Sequence, residues 1–204
     1  MELRELGQQD VGLIGDLANL HRKAFPAFFL TQLGTSFLKT LYQGYLDDQN
    51  SGILVAEENG KIEGFIAYSN DYPKFYKNLI RKKLIRFAWC SFLAAIQHPS
   101  FVKRLFGAFG KSDSVLKTEK YVELASICTD PKAEGRGIGT ALIKQLIARV
   151  DFKSYSYISL ETDATGNDQA NKFYQKNGFI LARKYTTPEG REMNEYHYAP
   201  GEHT

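Results

Sequence analysis

With 204 residues, 43% of them hydrophobic and 24% charged, the chain is long enough for one well-cored domain and short for two, so a single domain over residues 1–204 is expected. Only 6 prolines and an even mix of charges exclude the disordered and collagen-like classes. Two distant cysteines, Cys90 and Cys128, give neither a disulfide framework nor metal-ligand spacing, and no metal is expected. No charged-then-apolar leader opens the sequence and no run nears the roughly 18 apolar residues of a membrane span, so a cytoplasmic protein is expected. The net charge of +3 conceals an asymmetry, because Lys74 to Lys111 carries nine Lys or Arg and no Asp or Glu.

In chain order, Glu2 to Leu6 reads as a strand. Asp10 would then cap a helix whose Val11, Ile14, Leu17, Ala18 and Leu20 recur at helical spacing, and Pro26 ends it. A second helix from Thr31 or Thr35 buries Phe37, Leu38, Leu41, Tyr42 and Tyr45, and Gly52 closes it. Ile53 to Glu57, the pair Asn59-Gly60 and Lys61 to Ser69 form a hairpin, since Asn-Gly supplies the positive backbone angles of a two-residue turn. A basic, mostly helical insert (about 73–118) interrupts before a strand from Tyr121 to Cys128. Asp130-Pro131 ends that strand, a glycine-rich loop follows, and Leu142, Ile143, Leu146, Ile147 and Val150 mark one face of a helix. A strand at Tyr155 to Glu161, a helix capped by Asn167, and strands at Phe179 to Thr186 and Glu192 to Tyr198 complete a mixed α/β order.

The most informative stretch is Gly135-Arg136-Gly137-Ile138-Gly139-Thr140, between a strand and the first turn of a helix. Unpaired N–H groups at a helix start favour an anion, and glycines let a bulky phosphate reach the backbone. A tight helix start would use the same glycines. The Walker spelling fails for want of Gly-Lys before Ser or Thr. The dinucleotide fingerprint fails because its third glycine would fall on Thr140 or Leu142.

The run from Ile127 through Asp130-Pro131 to Leu142 resembles the coenzyme A loop of the GNAT superfamily of N-acetyltransferases. Asn167 to Phe179 resembles that family's Asn-x-x-Ala helix leading to Tyr and then Gly-Phe. The resemblance implies a mixed, mostly antiparallel central sheet with flanking helices (α+β), with a helical insert between the third and fourth strands. It implies acetyl-CoA as co-substrate, held by Gly135, Arg136, Gly137, Ile138, Gly139 and Thr140 at the diphosphate. Ile127, Cys128, Thr129 and Asn167 would serve the pantetheine arm, although capping alone would explain Asn167. One departure is Glu134, where the family has Gln or Arg, and we expect it turned to solvent or paired with Arg136.

Acetyl transfer to an amine needs a base, a polarised carbonyl and a proton for the departing thiolate. A Lys-like amine has a pKa near 10, so a carboxylate, directly or through water, can remove its proton as attack proceeds, and Glu123, upstream of the coenzyme contacts, is the candidate; a solvated strand residue is the plain alternative. Tyr174 matches the family position that protonates the sulfur, and packing beside Phe173 and Phe179 is its plain alternative. The expected activity is acetyl transfer from acetyl-CoA to a primary amine of a small molecule in a ternary complex. The basic insert favours an anionic acceptor, no nucleic-acid motif is spelled, and consecutive Arg81, Lys82 and Lys83 spread charge too widely for a membrane-lying helix. The alternative is a non-catalytic acyl-CoA-binding sensor or membrane-surface adaptor.

Overall fold

The computed structural model describes residues 1–82, 119–188 and 190–201. Strand β1 (Glu2–Glu5) is followed by a 3-10 turn (Gln8–Leu13) and helices α1 (Ile14–Ala24), α2 (Phe29–Gln32) and α3 (Thr35–Asp47). The hairpin β2 (Ser51–Glu58) and β3 (Lys61–Ser69) leads to helix α4, which covers residues 72–82. The rest of the predicted insert, including Cys90, lies outside the described residues. Strand β4 (Tyr121–Thr129), helix α5 (Ile138–Arg149), strand β5 (Tyr157–Asp163), helix α6 (Asp168–Lys176) and strands β6 (Ile180–Thr186) and β7 (Glu192–Tyr198) complete the order.

These strands form one sheet in the order β1-β2-β3-β4-β5-β7-β6, antiparallel throughout except for the parallel pair β4 and β5. That pair is the irregular one. Tyr121, Val122 and Glu123 are in register with Tyr157, Ile158 and Ser159, and pairing then stops. From Leu124 to Thr129, β4 keeps only β3 as a neighbour, so its main chain faces a widening gap towards β5. One residue, Ala125, has no partner on β3 and forms a bulge.

An apolar cluster fills each face of the sheet. Beneath α1, α3 and α4 lie Leu17, Phe37, Leu38, Tyr42, Tyr45, Val55, Phe65, Ala67 and Cys128. Beneath α5 and α6 lie Leu54, Ile66, Val122, Leu124, Ile138, Leu142, Ile158, Leu160, Tyr174 and Tyr196. The helical stripes in the sequence produce this division, since residues three and four apart share one side of a helix. Each fully buried Phe or Leu contributes about 1.5–3 kcal/mol. Among the described residues, no helix is long and apolar enough to cross a membrane.

Several sequence expectations are corrected. Asp10 does not cap α1: it sits in the 3-10 turn with its carboxylate accepting the Gly7 N–H at 2.8 Å, and Val11 is 44% exposed. Gly52 lies inside β2, paired with Tyr68, rather than closing α3, and a side chain there would collide with Glu5 and Tyr68. Strand β5 starts two residues later than Tyr155, whose N–H instead bonds the Asp151 carbonyl in a turn.

Candidate active site

The loop after β4 is built from caps and left-handed glycines. Asp130, 3% exposed, accepts the Lys132 N–H at 3.0 Å, which starts a 3-10 turn over Pro131–Ala133. Lys61 pairs with the same carboxylate at 3.2 Å. The Lys132 backbone bond and then Lys61 hold the Asp130 carboxyl below its ordinary pKa despite burial. Gly135 and Gly137 then adopt φ of 78° and 75°, a region that costs another residue about 1–2 kcal/mol.

Helix α5 begins directly after Gly137, and its first return bond runs from the Ala141 N–H to the Gly137 carbonyl at 2.9 Å. The amides of Ile138, Gly139 and Thr140 precede that bond, so they are the donors a helix start leaves open. A Cβ built on Gly135 or Gly137 would meet nothing within 4 Å, so open space lies over these backbones. Donors, dipole and room together suit the diphosphate of a coenzyme.

The gap between β4 and β5 opens at this loop. Ile127, Cys128 and Thr129 form its β4 wall and are paired through β3 with Ile66, Phe65 and Gly64. On the opposite wall Asn167 occupies the N-cap position of α6 as expected, but its side chain makes no capping bond and its amide donates to the Thr162 hydroxyl at 2.7 Å. The chemistry of the two walls, main-chain amides with a few side-chain amides, matches what an amide-rich arm can pair with. Gly139 lies so close to Phe173 that a Cβ would stand 2.9 Å from the ring, which packs the start of α5 against α6.

Glu134 and Arg136 do not pair with each other. Glu134 accepts from Gln169 at 2.6 Å, tying the loop to α6, and Arg136 pairs with Glu58 at 2.5 Å. Glu134 is thus exposed and held by Gln169 rather than Arg136, and the Arg136 backbone N–H bonds the Ala133 carbonyl at 3.4 Å.

Glu123 and Tyr174 stand on opposite faces of the sheet at the point where the strands part. Glu123 is in the last paired row, between Ser69 on β3 and Ser159 on β5, and is 7% exposed. Burial pushes the phenols of Tyr45, Tyr72, Tyr76 and Tyr121 up, and the Glu123 carboxylate adds to the shift in each. This carboxylate therefore looks onto the α3 and α4 side. Tyr174 packs with Leu124 and Leu160, the first residues past the last paired row, on the α5 and α6 side. Burial raises its phenol pKa, so it stays protonated as a donor.

Three groups of interest escaped the sequence reading. Glu195 is buried, pairs with Arg183 at 2.5 Å and holds the His197 ring at 2.8 Å; the alternation of β7 puts Glu195 and His197 on one face and could have suggested it. Asn171 uses its whole amide. It donates to the carbonyls of Asp163 and Asn167 and accepts from Asn194 and Tyr196, pinning α6 one turn before Tyr174. Ser126, on the bulged stretch of β4, had no sequence signal at all.

Comparison with known proteins places this geometry in context. The model of the Acetyltransferase (GNAT) family matches residues 14–179. The ribosomal-protein-S18-alanine N-acetyltransferase of Escherichia coli superposes with a TM-score of 0.57 at 18% identity, over 100% of this chain and 97% of that one. The polyamine N acetyltransferase of Drosophila melanogaster, which forms N acetylagmatine, gives 0.59 at 14% identity over 97% and 99%. A Bacillus anthracis protein described as a streptothricin acetyltransferase, crystallised with acetyl coenzyme A, gives 0.50 at 18% over 78% and 67%. At these identities the superpositions show the shared fold. No curated protein matches the chain in sequence.

Proposed function

Because the chain belongs to the acetyltransferase (GNAT) family, whose activity is acetyl-CoA-dependent N-acetylation, we propose that it acetylates the primary amine of a small, anionic molecule, with Glu123 as base and Tyr174 as acid. The thioester supplies an activated acyl carbon. The loop amides from Gly135 to Thr140 would hold the diphosphate, and the gap between β4 and β5 would take the arm.

The observation that carries this reading is the disposition of Glu123 and Tyr174 on opposite faces of the sheet, flanking the row where β4 and β5 separate. Glu123 takes a proton from the amine nitrogen as the new N–C bond forms on the α3 side. Tyr174 gives its phenolic proton to the sulfur as the C–S bond breaks on the α6 side. Ala125, unpaired with β3, has a main chain that can polarise the carbonyl between them.

Direct attack is favoured over an acetylated enzyme, since burial pushes the Cys128 thiol well up and keeps it from acting as a thiolate. Exposed Lys74, Lys77, Arg81 and Lys82 of α4 adjoin the acceptor side, which supports negative charge on the rest of the acceptor.

The test is thiol release from acetyl-CoA with a panel of phosphoethanolamine, glucosamine 6-phosphate, putrescine and a lysine peptide. Glu123→Gln should lower kcat by about 10²–10⁴ and Tyr174→Phe should lower kcat while leaving acetyl-CoA affinity unchanged. Coenzyme binding without thiol release from any amine would instead support a non-catalytic sensor.

A further inference from the structure

A cleft of about 800 Å³ opens at the end of the sheet away from Glu123, between α1, α2 and the turn that joins β2 to β3. Lys61 lines it and starts β3, and Ser69, the partner of Glu123, ends that strand eight residues later, so Lys61 and Glu123 are about 26 Å apart along the sheet. Arg22 and Lys23 of α1 line the same cleft, together with Asp130, where the loop after β4 begins.

The charges there are layered. Lys61 Nζ lies 3.2 Å and Lys23 Nζ 3.8 Å from one oxygen, Oδ2 of Asp130, and Lys61 also meets Glu63 at 2.8 Å. Both carboxylates lie beneath, 4% and 13% exposed, while the Lys23 and Lys61 side chains are 60% and 55% exposed. These residues therefore turn ammonium rather than carboxylate to the water. Two distances to one atom place the two Nζ atoms within about 7 Å of each other. Each ammonium has three N–H bonds, and these carboxylates engage at most two on Lys61 and one on Lys23, so both keep donors for a ligand. Basic side chains in the last turn of a helix suit its dipole, which accounts for Arg22 and Lys23, but Lys61 comes from a strand. Asp16, the other carboxylate on the lining, is seven residues before Lys23 and about 10 Å back along α1.

We propose that this cleft is a second anion site, in which Lys23 and Lys61 hold one phosphate group between them and Arg22 adds charge at the rim. A phosphate has oxygens on opposite sides of phosphorus and spans two ammonium groups at this separation with charge-assisted bonds of about 2.8 Å to each. The site adjoins the coenzyme loop through Asp130, whose other oxygen accepts the Lys132 N–H at the turn that leads to Gly135. Two sources have this chemistry: the 3′-phosphate on the ribose of the coenzyme, and a separate molecule that carries a phosphate. Neither involves Glu123 or Tyr174.

Binding of acetyl-CoA and of acetyl-3′-dephospho-CoA is compared by calorimetry in wild type, in Lys23→Gln and in Lys61→Gln. If the coenzyme supplies the group, wild type should bind the dephospho form about tenfold more weakly, and each variant should lose most of that difference while binding the dephospho form as wild type does. If a separate molecule supplies it, the two coenzymes should bind wild type alike. Inorganic phosphate should then raise the Tm of wild type, its glycine loop already filled by coenzyme, more than sodium chloride of equal ionic strength does, and both variants should lose that increment. Lys23 is 60% exposed and its substitution leaves Lys61 on Asp130, so Lys23→Gln reports on the cleft with the buried pair intact. A wild type with neither the coenzyme preference nor the phosphate increment overturns the proposal, and so does a preference or an increment that survives in both variants.

Discussion

The buried imidazole of His21 makes the stability of this protein depend on pH in a way that one substitution removes. Burial lowers its pKa from 6.5 to about 4, so the folded state refuses a proton that the unfolded chain accepts. Its contribution is therefore complete above about pH 6.5, falls as the unfolded imidazole charges, and is fully lost below about pH 4. At about 1.36 kcal/mol per pKa unit the whole window is worth about 3 kcal/mol, and most of it is gone at pH 4.5. His21→Gln abolishes this titration and retains an acceptor for Tyr42. Melting both proteins at pH 7.5 and pH 4.5 should show wild type losing about 5–10 °C more than the variant, at about 2–4 °C per kcal/mol for a chain of this size. Asp10 and Asp130, whose carboxyls are held low by the backbone N–H groups of Gly7 and Lys132, titrate in both proteins and cancel in the difference. Parallel losses in the two proteins would refute a neutral, buried His21.

Gly137→Ala should cost about 1–2 kcal/mol from its φ of 75° alone, visible as a lower Tm, and raise acetyl-CoA KM as the amides of the α5 start shift. Arg136→Ala should change acetyl-CoA KM by less than about twofold, because the guanidinium is engaged by Glu58 and exposed pairs contribute little. Asn171→Ala should destabilise by about 2–3 kcal/mol in urea unfolding, since Asn194 and Tyr196 lose the oxygen they share. The same variant should lower kcat more than acetyl-CoA KM rises, as α6 loosens one turn before Tyr174.

What the sequence disclosed follows its physical periodicities. The stripe Leu142, Ile143 and Leu146 and the stripe Phe37, Leu38 and Leu41 mark faces that are buried because a long amphipathic helix has no other place for them. Asn59-Gly60 fixed the β2–β3 hairpin, and Asn59 indeed has a positive φ of 51°. The loop from Gly135 to Thr140 was legible as the turn into α5, where Gly135 and Gly137 take positive φ. Pairings between distant charges were not. Arg136 finds Glu58, 78 positions away, and Glu134 finds Gln169, and nothing local ranks those partners over each other. Asp10 misled because an acid before an apolar stripe suits both a helix cap and a 3-10 turn held by Gly7.

Ser126 was hidden for a sharper reason. Strict alternation assigns residues 123 and 126 to opposite faces, so a reading by period two pairs Glu123 with Ala125 and Ile127 and sends Ser126 to the far side. The bulge reverses that parity, which is also why Cys128 and Phe65 share the α3 face while Leu124 joins the α5 side. A single unpaired residue thus does two things at the same place. It leaves main chain unpaired with β3 where β4 parts from β5, and it puts Ser126 on the face that carries Glu123. A site that needs a coenzyme on one face and an amine on the other has reason to keep both effects at the row where the strands separate.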